Sequence, residues 1–353
     1  MFDMEKYAQL CVVELIKNGE SEKLNKAEIA VINTKNAEYI YKFAYYVRRG
    51  NAHKVHQLQK LVLDLGDIEY VYKFARDVKG ANIDSLQNYI IENGSARDIY
   101  TFAHNVPSAN IERLQDALIA TMDMNYILAF ASHIKNANIK KLQQVAIYSN
   151  KGDFIYSFAK NVKGADIGKL QDAVARSNNA SAIYGFALDI KGADTDKLLS
   201  AVVRTGNITY IKAYISNVQG ASVEKVQRAV IKQGDAKNIY LLASEIRNLD
   251  ILRLSSAIAS TKDAYFIYHF ACDIIGADID VLETGIILSG NAELVCKFAL
   301  DVKNANIKRM ARKIAKFGNS KCLEMFKKQF YGYKEYLKEE KDELSEVEDL
   351  LRK

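Results

Sequence analysis

An apolar marker recurring at a constant interval (i, i+28), two helix-capping positions in each period and a single proline predict an all-α fold. The expected architecture is a right-handed α-solenoid of about ten 28-residue helix-pair repeats with terminal caps.

The marker is an aromatic residue or leucine, usually followed by alanine. Phe74, Phe102, Phe130, Phe158, Phe186, Tyr214, Leu242, Phe270 and Phe298 follow one another at i, i+28 without interruption. Phe43 opens the series, three positions further from Phe74 than that interval requires. Ile or Val stands three before the marker in all ten repeats, Ala one after it in nine, and Val or Ile four after it in all ten. Those positions follow the i, i+3, i+4, i+7 rule for one apolar face of a helix.

Seven before the marker come Asn36, Asp67, Ser95, Asp123, Asn179, Asn207, Asp235, Asp263 and Asn291, with Lys151 the exception. Such side chains accept from the free N–H groups of a helix start. Six after the marker come Gly80, Asn136, Gly164, Gly192, Gly220, Asn248, Gly276 and Asn304, residues that tolerate the left-handed conformation ending a helix.

A second helix is predicted to begin at Asn82, Asn110, Asn138, Asp166, Asp194, Ser222, Asp250, Asp278 and Asn306. Its apolar stripe is Ile83, Leu86 and Ile90 in one repeat and Ile111, Leu114 and Leu118 in the next. Helices of ~10–11 residues are marginal alone, so stacking must stabilise them. A leucine-rich repeat would need closely alternating leucines for a strand, and the sequence has none. The pattern resembles the α-solenoid class of HEAT and TPR repeats over essentially the whole chain, at a shorter period than their ~33–47 residues. That resemblance implies a binding surface, although solenoids with dispersed catalytic carboxylates also exist.

The repeats divide the chain into a degenerate N-terminal capping repeat at 1–35, a ten-repeat array at 36–318 and a C-terminal capping helix with a charged tail helix at 319–353. Val12 and Leu15 suit the first cap. Asn319, Leu323 and Phe326 restart the register, Lys327 replaces the usual Ala, and Lys334–Lys353 interleaves charge with Leu337, Leu344, Val347, Leu350 and Leu351. Polar terminal elements close a solenoid core.

Hydrophobic residues at 49% suffice for a packed core. The net charge of +6 is local in origin: residues 303–328 hold nine bases and one acid, residues 334–353 hold five bases and eight acids, and residues 1–302 are near neutral. Four scattered cysteines form no C-x-x-C pair, the N-terminus lacks an apolar h-region, and no apolar run reaches a membrane span. A reduced cytoplasmic protein without a membrane partner is expected. The regularity of the repeats and the Lys-, Ile- and Asn-rich composition also fit a phage or mobile-element origin in an AT-rich genome.

Four recurring polar features are candidate sites. Tyr41, Tyr72, Tyr100, Tyr156, Tyr184, Tyr240 and Tyr268 stand two before the marker. They read either as inter-repeat packing with bonded hydroxyls or as a ladder for stacking bases or gripping a peptide. Gln59, Gln87, Gln115, Gln143, Gln171 and Gln227 fall on the second helix's apolar stripe. They read as a buried structural ladder or as base-edge readout. Asp77, Asn105, Asn161, Asp189, Asn217, Glu245, Asp273 and Asp301 stand three after the marker, near a helix C-terminus where a carboxylate opposes the macrodipole. Arg113, Lys141, Lys169, Lys197, Lys225, Arg253 and Arg309 stand at the third position of helix two, where a cation opposes it. Ion pairing between neighbouring helices would explain both placements, and a track of cations for a phosphate backbone is the rival. The strongest electrostatic feature is Arg309, Arg312, Lys313 and Lys316, one face of a helix, either covered by the acidic tail or open to anions.

Nothing in the sequence supplies a catalytic or cofactor motif: the five histidines share no repeat position or metal-ligand spacing, and no P-loop or nucleophile elbow occurs. The sequence predicts a non-enzymatic scaffold or inhibitor that holds a protein partner on a concave surface, without cofactor or metal. Its alternative is a nucleic-acid-binding solenoid that uses the repeated cations, the tyrosines and the basic cluster. The partner-binding candidates are Arg309, Arg312, Lys313, Lys316, Tyr72, Tyr100, Tyr156, Tyr184, Tyr240, Tyr268, Lys141, Lys169, Lys197 and Lys225.

Overall fold

Short helices alternate with turns of two to five residues in the computed structural model of the protein, which describes residues 3–48, 51–317 and 320–329. No strand occurs among the described residues. The chain divides into two compact units, residues 1–149 with 157–166, and residues 150–156 with 167–353.

The first unit opens with α1 (Met4–Asn18) and α2 (Glu22–Asn33). It continues with α3 (Ala37–Tyr46), α4 (Ala52–Leu65), α5 (Ile68–Asp77), α6 (Ile83–Asn93), α7 (Ala96–Asn105), α8 (Ile111–Thr121), α9 (Met124–His133) and α10 (Ile139–Tyr148). Helix α11 (Gly152–Asn161) has residues in both units. The second unit holds α12 (Ile167–Arg176), α13 (Ala180–Asp189), α14 (Thr195–Arg204), α15 (Ile208–Asn217), α16 (Val223–Gln233), α17 (Ala236–Glu245) and α18 (Ile251–Thr261). It ends with α19 (Ala264–Asp273), α20 (Ile279–Leu288), α21 (Ala292–Asp301), α22 (Ile307–Phe317) and α23 (Ser320–Gln329).

The predicted caps set these boundaries. Asn36, Ser95 and Asn291 each accept from the backbone N–H three residues on, and Asn82, Asn110 and Asp250 do the same for the second helices. At the other end Gly80 takes φ 89° and Asn136 φ 66°, the left-handed turn that releases the chain toward the second helix. The three extra residues before Phe74 are absorbed by α4, which is longer than its counterparts: 14 residues against 11 in α6 and 10 in α10.

Packing is sequential, as in an α-solenoid. Within each unit the first helix of a pair packs on its own second helix and on the first helix of the next pair, while second helices pack on second helices. The markers fill this seam: Phe43, Phe74, Phe102, Phe130, Phe186, Phe270 and Phe298 are fully buried. Each such burial contributes roughly 1.5–3 kcal/mol, which no lone helix of this length could recover. Helices α18 and α20 pass close together at Gly285, where an added Cβ would lie 2.7 Å from the Ala259 Cα.

Helix α1 includes Val12 and Leu15, and α23 occupies the place expected for the C-terminal capping helix. Asn319 and the charged tail helix at Lys334–Lys353 lie outside the described residues.

Candidate functional site

The glutamines form a structural ladder. Gln59 bonds the backbone of Asn82 through both amide atoms, at 3.0 and 2.8 Å. Gln87 does so at Asn110, at 3.3 and 2.7 Å, and Gln227 at Asp250, at 2.9 and 3.0 Å. Gln115, Gln143 and Gln171 each accept from the N–H of the corresponding cap, Asn138, Asp166 and Asp194, at 2.7 Å. All six are buried. Two repeats use substitutes: Ser255 accepts from Asp278 N–H at 3.1 Å, and the Glu283 carboxylate from Asn306 N–H at 2.8 Å. Burial pushes the Glu283 carboxyl above its usual range. These side chains satisfy the backbone at the turn into the next repeat's second helix.

The tyrosines and the acids three after the marker explain each other. A tyrosine hydroxyl of one repeat meets the acid of the next: Tyr41 donates to Asp77 at 2.6 Å, Tyr240 to Asp273 at 2.8 Å, Tyr268 to Asp301 at 2.8 Å, and Tyr156 to Asp189. Where the acid is an amide, Asn217 donates to the Tyr184 hydroxyl at 2.9 Å. Where it is histidine, Tyr100 lies 3.4 Å from His133 Nδ1. Tyr72 departs from the pattern and takes a bond from Arg76 of its own helix at 3.1 Å. Hydrogen bonding to Asp273 first, and then partial burial, push the Tyr240 phenol up to about 12. The rings stack sideways on residues four before the next marker, with centroids 5.9 Å apart in Tyr100–Tyr126 and Tyr184–Tyr210.

The cations of helix two do pair with neighbours, but with the preceding second helix. The expectation that they and the acids near the first-helix C-termini share one explanation is therefore corrected. Lys141 meets Asp116 at 2.6 Å, Lys197 meets Asp172 at 2.5 Å, Lys225 meets Asp196 at 2.9 Å, and Arg113 donates to Asn88 at 2.7 Å. Lys169 stands at the equivalent exposed place on α12. These are surface pairs and weak ones.

At the basic cluster, Arg309 is tied inward, donating to Glu283 at 3.4 Å and to Thr284 at 3.0 Å. Arg312 and Lys313 are half-buried, Lys316 is exposed, and Met310, Ala311 and Ile314 bury the opposite face of α22. Lys321, Lys327 and Lys328 add exposed charge on α23.

Two features escape the repeat reading. In the first unit Arg48, 1% exposed, bonds Glu20 at 2.6 and 2.8 Å and also meets Glu28, which Lys54 approaches at 3.4 Å. The available signal was Glu28 itself, an acid on the face of Leu24 and Val31. In the second unit α17 and α19 gather half-buried rings around the exposed Tyr265: Tyr265 and His269 centroids lie 4.4 Å apart, Tyr268 and His269 5.2 Å, and Tyr240 and Phe266 6.0 Å. Tyr265 is 55% exposed, and the His269 Nδ1 lies 3.6 Å from Asp273.

Among the described residues no group of three or more His, Cys, Asp or Glu is placed to hold a metal ion, and no helix is long and apolar enough to cross a membrane. A pocket of about 540 Å³ between α1 and α2 is lined by Tyr7, Leu10, Cys11 and Val13, with Lys17 and Lys23 among its charged groups. No family model matches the chain, and no curated protein or solved structure matches it significantly.

Proposed function

We propose that this is a binding protein without catalytic chemistry of its own, and that it holds another protein against the tyrosine-bearing faces of its first helices. The observation that supports this most is the Tyr240–Tyr265–Tyr268–His269 cluster. Tyr265 is exposed and the other three rings are half-buried around it, and Tyr240 and Tyr268 are held in place through their hydroxyls by Asp273 and Asp301. Rigid aromatic side chains of this kind dominate protein interfaces, since they supply contact area at little entropic cost. The pairing of Lys141, Lys197 and Lys225 with carboxylates weakens the rival picture of a continuous cationic track.

The test is affinity capture from a cell extract with the wild-type protein and with a Tyr265→Ala/Tyr268→Ala variant shown by circular dichroism to be folded at the capture temperature. The expected result is a protein retained by the wild type and lost by the variant. Retention of nucleic acid that high salt removes, with no protein dependent on the two tyrosines, overturns the reading.

One observation favours nucleic acid as a second reading: Lys313 and Lys316 share a face of α22 beside the cations of α23. Charge reversal at those two lysines tests it cleanly, whereas Arg309 does not, being bonded to buried Glu283. Loss of salt-dependent RNA or DNA binding in that variant would carry the second reading.

A further inference from the structure

The position two before one marker faces the position four before the next. Rings fill this contact in Tyr100–Tyr126, Tyr184–Tyr210 and Tyr240–Phe266, with centroids 5.9, 5.9 and 6.0 Å apart. The two members of each pair stand at i and i+26, and so do Cys296 and Cys322. The rung between α21 and α23 therefore holds two thiols where three earlier rungs hold two rings.

Both cysteines are buried, at 1% and 3% exposure. The Cys296 Sγ lies 3.5 Å from the Cys322 carbonyl oxygen and within hydrogen-bonding reach of the Cys322 thiol, and the Cys322 Sγ lies 3.6 Å from the Ala292 carbonyl. A pocket of about 220 Å³ reaches both residues and is rimmed by Glu293, Lys297, Lys321 and Met325. A small oxidant thus has a path to a thiol pair that a macromolecule does not.

We propose that Cys296 and Cys322 form an oxidative modification site, in which a hydroperoxide converts the two thiols into an intrachain disulfide that fastens α23 to α21. The Cys322 sulfur attacks the outer peroxide oxygen. The O–O bond breaks, the thiol proton passes to the departing oxygen, and Cys322 becomes a sulfenic acid while an alcohol or water leaves. The Cys296 sulfur then attacks the sulfenic sulfur. Its S–O bond breaks, the S–S bond forms, and the hydroxyl leaves as water with the Cys296 proton. The sulfurs lose two electrons and the peroxide gains two. Cys296 is the second thiol because burial and the adjacent Cys322 hold it protonated, pushed up to about 12. The reducing thiol pools of a cell would reverse the bond, so the cap would be fastened under peroxide and released afterwards.

The experiment treats the full-length folded protein with hydrogen peroxide, alkylates the remaining thiols after denaturation and maps the peptides by mass. Exposed Cys272 serves as the internal control for oxidant delivery. The expected product is a cross-linked peptide pair containing Cys296 and Cys322, absent from Cys296→Ser and Cys322→Ser proteins. In Cys296→Ser protein, dimedone should trap Cys322 as the sulfenic acid. Amide hydrogen exchange in α23 should slow at least about tenfold on oxidation and recover on reduction. Free, alkylated Cys296 and Cys322 in protein whose Cys272 is oxidised would overturn the proposal, as would exchange in α23 unchanged by the cross-link.

Discussion

Gln59 clasps the backbone of Asn82 at both ends of its amide, Nε2 donating to the carbonyl at 3.0 Å and Oε1 accepting from the N–H at 2.8 Å. The clasp joins one repeat's second helix to the residue that starts the next repeat's second helix, so it fixes the relative placement of the two. Gln87 makes the same clasp at Asn110 while itself fully buried. Truncation by Gln87→Ala strands two backbone groups and should cost about 1–3 kcal/mol. Denaturant unfolding measures it, and an unchanged midpoint would mean that water replaces the amide without loss.

Glu283 performs the same task with a carboxylate, and burial raises its pKa. A raised carboxyl pKa means that the folded state binds the proton more tightly. Its favourable contribution is then full below the unfolded pKa and is lost as pH rises through the folded value. Glu283→Gln restores the residue used in six other repeats and removes the buried charge. Arg309, 42% exposed, can turn to solvent. The variant should melt higher than wild type at pH 7, with the gap closing in acid. A lower melting temperature at pH 7 would show that the Arg309 bond outweighs the burial cost.

The helices and their caps were legible because each is set locally: Asn36 or Asp250 caps a helix wherever an Asx residue precedes an apolar periodic run. The glutamine ladder was legible in position and in class, since a buried amide must find partners. Its partners are 23 residues away, and only the packing of successive repeats supplies that number. The tyrosine–acid pairs were half legible. Both positions were visible, yet the sequence suggested pairing the acids with lysines, because charge invites charge and a phenol donor carries none. Arg48 was not legible, because the residue that makes it structural, Glu28, belongs to α2, outside the 28-residue repeat.

That cluster gives a sharp expectation. Arg48 is 1% exposed and neutralises Glu28, whose side chain is 6% exposed. Removing one partner of a buried pair costs up to about 3–5 kcal/mol, and Glu28 without Arg48 keeps only the longer 3.4 Å contact with Lys54. Arg48→Ala should therefore loosen α1–α3 selectively, read as faster amide exchange there with exchange in α5–α8 unchanged. The Arg48→Met/Glu28→Leu double variant should recover most of the loss, because it removes both charges together. If the double variant is as weak as the single one, the cluster acts through shape and not through charge.

The tyrosine–acid ladder predicts an alkaline transition. Asp273 beside Tyr240 destabilises the phenolate, so the phenol ionises at about 12 in the folded protein against 10.0 for an unperturbed one. The folded state again binds the proton more tightly. The contribution of the bond is thus complete below pH 10 and is lost between 10 and about 12. Spectrophotometric titration should resolve Tyr240 as a late-ionising phenol, and Asp273→Asn should bring its titration back toward the ordinary value. The same substitution should lower the melting temperature at pH 8 and make little difference near pH 12. Tyr268, held up by Asp301, should respond to Asp301→Asn and not to Asp273→Asn, so the two variants separate one rung of the ladder from the next. A Tyr240 titration that ignores Asp273→Asn would leave burial, and not the hydrogen bond, as the cause of its shift.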